Sequence, residues 1–317
     1  MWFTNQIYVS PLRVHNQEDA DIVYVPAIFG DDAACTRFMD TVVTAYPLVQ
    51  HKPHLLALSY PLAIFMSCMS HDLAKLFTYI SLESWSEHTE WTRELSLQSI
   101  ATPYLGHLHW YAGSRKYTSP FETENKAQLV FASWVTRTFF ERTILRDQCN
   151  QAADHICTFF EYDPSAEIKS AKLAIDGYER SYYVAMPRGD YVTRSSLYDV
   201  LCTGAVPIVF HANYSLFLPY HDIIDYSKLL LVVDTALDER APSFLDSVQD
   251  YGIQQAKHKM QYLSRVAHLF QYSLNPDHSL VNFPARNSVD SKDDAFTATM
   301  KAVLRNLCAR AILVECY

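Results

Sequence analysis

Two successive arrays of short apolar segments alternating with stretches of helical spacing run through the chain, and no other feature constrains its fold as strongly. A run of four to eight apolar, β-branched or aromatic residues fits a strand buried on both faces, and strands that alternate with helices imply parallel sheets joined by helical crossovers. In the first array DIVYVPAIF (21–29) and HLLALS (54–59) read as buried strands. CTRFMDTVVTAY (35–46) and DLAKLFTYI (72–80) read as helices, and TPYLGHLHWY (102–111) as extended chain. The aperiodic, charged stretch YAGSRKYTSPFETENKA (111–127) then interrupts the pattern and marks a domain boundary.

Beyond that break the alternation restarts. AQLVFAS (127–133), SYYVAM (181–186), AVPIVF (205–210) and KLLLVVD (228–234) read as strands. TFFERTILRDQCNQAADHI (138–156), RSSLYDVLCTG (194–204), KHKMQYLSRVAHLFQYSL (257–274) and DDAFTATMKAVLRNLCARAIL (293–313) read as helices. Two arrays of similar size predict an α/β protein with two Rossmann-like domains facing a cleft: 1–118, then 119–288, with 289–317 a helix returning toward the first.

Composition narrows the functional classes. The 317 residues are 49% hydrophobic and 14% aromatic with only 7 Gly, which excludes a disordered or low-complexity chain. A net charge of −9 with no clustered Lys or Arg disfavours nucleic acid, whereas a few placed arginines suffice for a small anion. The seven cysteines show no CxxC spacing, so no zinc ribbon or redox motif is spelled, and their odd number leaves the compartment open. The N-terminal residues lack the pattern of a signal peptide or membrane anchor, and the most apolar window, 54–69, is too short for a membrane span and carries Pro61.

The segment PRGDYVTRSSLYDVLCTGAVPIVF (187–210) concentrates the functional signal. A strand ends at Pro187, a tight turn passes Arg188-Gly189-Asp190, Thr193 is placed to cap a helix, and Gly204 stands where a helix-terminating glycine is expected. In a doubly wound sheet the loop after a strand and the start of the next helix lie where ligands bind. Backbone N–H groups and the helix dipole there favour phosphate, and Asp199, on the same helix side as Ser195 and Ser196, is placed to reach a sugar hydroxyl. That combination fits a nucleotide; an ordinary β-α-β unit with a solvent-facing Asp is the plainer alternative.

The order of motifs in this region resembles the exostosin-like glycosyltransferases, family 47 of the inverting GT-B enzymes. Strand, RGD, hydroxyl-rich cap, Leu197-Tyr198-Asp199, small residue and Gly204, VPIVF, then Leu218-Pro219-Tyr220 and Asp225-Tyr226-Ser227 follow that family's sequence of features. DADIVYVPAIF, KPHLLALS, FASWVTRTFFERTILRDQC and the closing helical segments extend the likeness over nearly the whole chain. Three departures are clear. Ser133 replaces a glycine, Ser195-Ser196 replace a basic pair with Arg194 displaced beside them, and Tyr60-Pro61 replace a His-Asp.

The resemblance implies an acceptor-side first domain, a second domain that binds a nucleotide sugar, a glycan acceptor and Golgi residence. In such an enzyme Arg residues and helix N-termini neutralise the leaving diphosphate, so no metal is expected. Donor-site candidates are Arg137, Arg142, Arg188, Thr193, Arg194, Ser195, Ser196 and Asp199, with Arg188 placed equally well to brace its loop through Asp190. Asp19-Ala20-Asp21 has the spelling of a metal-binding Asp-x-Asp but precedes its strand, which reads as a solvated strand entrance. Candidates for the catalytic base are Asp31, Asp32, His107 and His109. Asn213-Tyr214-Ser215 is an N-glycosylation sequon, consistent with the secretory pathway. Two functions stay open: an active inverting transferase of polysaccharide or cell-wall biosynthesis, and a catalytically weak, glycosyltransferase-like subunit of a complex.

Overall fold

The structure, a computed structural model, describes residues 19–26, 52–58, 75–83, 97–108, 126–233, 242–272 and 294–310, with single positions at 7, 13, 14, 16, 36, 37, 41 and 312. The chain divides into two compact units. The first comprises Met1–Pro103, Leu216–His221 and Phe296–Tyr317; the second comprises Tyr104–Ser215 and Asp222–Ala295. Each has its own parallel sheet, so the α/β class expected from the alternation is the observed one.

In the first unit four parallel strands lie in chain order: β1 (Val23–Pro26), β2 (His54–Ala57), β3 (Phe77–Ser81) and β4 (Ser99–Ala101). All four residues of β2 and all five of β3 are buried, the pattern of strands covered on both faces. Residues 77–80 had the spacing of a helix, yet they form β3. Leu73, Leu76, Phe77 and Ile80 satisfy a helical template because a doubly covered strand has no polar face to break it, and the aromatic and β-branched content of Phe77-Thr78-Tyr79-Ile80 decides for the strand. The C-terminal helix, Ala295–Ala309, inserts Val303 and Leu307 among Leu55, Ala57, Ile80 and Ile100. Thr299 on the same helix shares hydroxyl hydrogen bonds with Thr102 at 3.0 Å and Tyr220 at 2.8 Å, all buried.

The second unit carries five parallel strands: β5 (Gln128–Trp134), β6 (Cys157–Glu161), β7 (Ser181–Met186), β8 (Val206–Val209) and β9 (Leu231–Val232). Their order is β6-β5-β7-β8-β9, so the sheet reverses its winding between β5 and β7. Period-two alternation along β5 assigns its faces. Val130, Ala132 and Trp134 join a core with Leu145 and Cys149 of α1 (Phe140–Gln151) and Val248, Ala256 and Met260 of α4 (Phe244–Val266). Phe131 instead meets α2 (Glu167–Glu179): its ring stands edge-on to Tyr178 at 5.7 Å, and a Cβ on Gly177 would lie 2.3 Å from it.

Strand β6 and helix α2 were not assigned from the sequence. The helical reading of 138–156 runs past the end of α1 at Gln151, and no Gly or Pro separates it from β6. A Cys149–Cys157 disulfide fastens the end of α1 to the first residue of β6. The remaining helix, α3 (Ser195–Cys202), closes as expected at Gly204, whose φ of 73° is the left-handed conformation that glycine adopts freely, with Ala205 N–H donating to Val200 C=O at 3.3 Å. Its start differs from expectation: Arg194, not Thr193, occupies the capping position with extended φ and ψ of −142° and 150°, and no side chain among the described residues caps the helix.

Candidate functional site

Loops at the carboxyl ends of β5 and β7 border a cavity of about 270 Å³ in the second unit. This is where reversed winding leaves a crevice in an open parallel sheet. Ser133 and Val135 line it from β5 and just beyond, Tyr178 and its neighbours from α2, and Arg194, Ser195, Ser196 and Asp199 from the start of α3. Arg142, His107 and Tyr162 complete the polar lining among the described residues.

Arg194 is the most telling of these groups. Its side chain is partly buried, and Nη1 is withdrawn from solvent with no hydrogen-bond partner among the described residues. Burial pulls its pKa below the usual arginine range without a paired carboxylate to restore it. A buried charged donor without a partner costs about 1–3 kcal/mol or more, an arrangement that a bound anion would relieve. Ser133 Oγ, 3% exposed as a residue, is likewise buried without a partner among the described residues. Gly189 makes room for the arginine: a Cβ there would come within 3.0 Å of Arg194 Cγ. The glycine of the Arg-Gly-Asp turn thus serves the arginine five residues on.

Asp199 is buried, and it faces inward rather than toward solvent. Oδ1 accepts the Leu108 N–H at 2.7 Å, and Oδ2 lies 3.4 Å from His107 Nδ1. The chain passes so close that a Cβ on Gly106 would sit 2.2 Å from Oδ1, so only glycine fits. His107 Nε2 in turn lies 3.4 Å from Glu167 Oε1. Its pKa is raised mainly by the hydrogen bond to Asp199, against the lowering effect of burial, with the charges of Asp199 and Glu167 adding to the rise.

Arg142 is buried. Its Nε and Nη2 donate to Arg188 C=O at 3.1 and 2.8 Å, and Nη1 donates to Val135 C=O at 3.0 Å and Thr138 Oγ1 at 2.7 Å. Four donated bonds tie the loop after β5 to the loop after β7, and burial beside Arg194 and Arg188 pushes its pKa down to about 10. Arg188 is exposed, with its guanidinium 4.8 Å from the Phe139 ring centroid. Arg137 is exposed in the short turn Thr136–Thr138. Neither lines the cavity. Thr193 is 2% exposed and also stands apart from the lining, which begins one residue later at Arg194.

Of the base candidates, His107 is the one that the described residues contain, and it groups with the second unit. Asp31, Asp32 and His109 lie outside the described residues, as does most of the aperiodic stretch before β5. Sequence reasoning missed Ser133 as a lining group, Tyr162, Tyr178 and Glu167. A signal for the last three was present: Asp163-Pro164-Ser165 is a helix-entry motif, with Asp163 accepting the Ser165 N–H at 2.9 Å. Ala171, Ala174, Ile175 and Tyr178 then follow at helical spacing.

The exostosin GT47 domain matches residues 1–248, and the chain belongs to that family. It is a glycosyltransferase. No curated protein sequence matches it. Among solved structures it is similar to an alpha1,3-fucosyltransferase, at 10% identity and a TM-score of 0.39 over 100% of this chain and 96% of the other. Arabidopsis thaliana UGT89C1 complexed with UDP-L-rhamnose gives 10% identity and a TM-score of 0.38 over 83% of this chain and 68% of the other. A chain of the GtfA/B complex gives 10% and 0.36 over 75% of this chain, which spans 58% of that one.

Proposed function

We propose that the cavity of the second unit holds the diphosphate of a nucleotide-sugar donor, with UDP as the nucleotide, and that the enzyme transfers the sugar to a glycan with inversion. The observation that carries this reading is Arg194: a buried guanidinium nitrogen without a partner among the described residues, at the sheet's reversal and at the start of a helix. Its charge and the N–H groups of the first turn of α3 take the place of a metal ion. Arg142 is a positioning residue, since its hydrogen bonds hold the loop that follows Ser133 and the loop that leads to Arg194.

In the reaction an acceptor hydroxyl oxygen attacks the anomeric carbon. The bond from that carbon to the diphosphate oxygen breaks, the nucleoside diphosphate departs with the electron pair, and the hydroxyl proton passes to a base, for which Asp31, Asp32 and His109 stand. Serines in place of the family's basic pair favour a second reading, a donor-binding subunit with little turnover. The Cys149–Cys157 disulfide and the exposed Asn213 of the sequon support residence in the secretory pathway, and we place the enzyme in the Golgi.

Calorimetry with UDP in excess EDTA, followed by turnover of a panel of labelled UDP-sugars, tests the reading. UDP should bind without metal, and Arg194→Met should weaken binding by about 30-fold or more while leaving the apo protein at least as stable. Binding that requires manganese overturns the metal-free mechanism, and unchanged affinity in Arg194→Met removes that residue from the site. Binding without turnover selects the subunit reading.

A further inference from the structure

His107 is held between two carboxylates that differ in freedom. Its Nδ1 faces Asp199 Oδ2 and its Nε2 faces Glu167 Oε1, each at 3.4 Å. An ionised carboxylate only accepts hydrogen bonds, so a ring with one on each side is satisfied best as the imidazolium, which carries a proton on both nitrogens. Asp199 is fixed, since its side chain is 2% exposed and Oδ1 already holds the Leu108 N–H. Glu167 is not. Its side chain is 68% exposed at the first turn of α2, and it can turn into water at little cost.

We propose that His107 is a second phosphate-binding cation of the donor site, and that Glu167 is a stand-in anion which a diphosphate oxygen displaces from Nε2. This rests on the reading of the cavity as the donor site and deepens it. A donor diphosphate carries about two negative charges, Arg142 is committed to loop carbonyls, and the basic pair expected before Leu197 is Ser195-Ser196. Arg194 supplies one charge; His107 supplies the other. Among the described residues, Asp199 from α3 and Glu167 from α2 face the ring, and Arg142, Arg194, Tyr162 and Tyr178 are further titratable side chains of the same cavity. The rise in the His107 pKa extends the charged form toward neutral pH.

The test is UDP affinity of wild type, His107→Gln and Glu167→Gln at a series of pH values, each variant compared with wild type at the same pH so that titration of UDP cancels. His107→Gln should bind about 10-fold more weakly at pH near 6, and the ratio should shrink toward unity as pH rises through the raised pKa of the wild-type ring and the ring loses its proton. Glu167→Gln, an exposed change that leaves folding intact, should bind about 3-fold or more tightly at pH near 6, where the ring is charged with or without its neighbour. A His107→Gln ratio of one at every pH, or weaker binding by Glu167→Gln, overturns this proposal alone. Wild type that fails to bind UDP at any pH overturns the donor-site reading itself.

Discussion

The two sheets are built from the same kind of strand and differ in order. In the first, β1 to β4 lie in chain order, so the described strands wind one way throughout. In the second, β6 lies outside β5, and the connections leaving β5 and those arriving at β7 pass on opposite faces. The loops after β5 and β7 therefore part at the sheet's carboxyl edge, and the cavity that gathers Arg194, Ser133 and the His107–Asp199 pair opens there. Strand order, more than residue composition, decides where a ligand site can form. Side chains then set its charge.

If the second unit is organised around Asp199, the largest effect should come from Gly106→Ala. The added carbon would stand 2.2 Å from Asp199 Oδ1, which is itself buried and holds Leu108, so neither side can yield freely. Stability of that unit should fall by about 1–3 kcal/mol, the range for overpacking. Amide exchange by mass spectrometry should quicken across β5, β7 and α3 and leave β2 and β3 unchanged. Equal quickening in both sheets would break the comparison, because the loop would then matter to the whole molecule.

A smaller, pH-dependent effect should also be confined to the second unit. His107 has a folded-state pKa raised above its ordinary 6.5, so the protonated ring contributes stability that is complete below that value. The contribution is lost as pH rises through the folded-state pKa, by about 1 kcal/mol or less. Asp199→Asn keeps the shape and an acceptor for Leu108 N–H but removes the charge. In that variant the urea midpoint of the second unit should be flatter with pH above 6.5, and a wild-type slope of opposite sign would show that the ring is not held as the cation.

Much of this was legible in the sequence, and the losses have physical causes. Strands β1, β2, β5, β7 and β8 follow from β-branched and aromatic runs, and Gly204 follows from the need for positive φ after α3. Strand β3 was misread because burial on both faces erases the alternation that separates strand from helix. β6 escaped because the chain turns from α1 without glycine or proline, the corner being fixed by a disulfide that spacing alone does not reveal, whereas α2 is announced by Asp163-Pro164-Ser165. The helix whose first turn lines the cavity was recognised, but the division of labour among its neighbours was not. Burial separates Arg194, with a free buried nitrogen, from Arg142, which is tied to carbonyls, and no sequence pattern distinguishes the two.

The central claim is that Arg194 at the reversal of the second sheet receives the donor diphosphate. A crystal structure of the protein with UDP, grown in EDTA, tests it most directly. The account predicts a diphosphate oxygen within hydrogen-bonding distance of Arg194 Nη1, between Ser133 and the first turn of α3, with Arg142 still bonded to Val135 and Arg188. UDP bound to the first unit, or bound in the second with Arg194 Nη1 still without a partner, would contradict it.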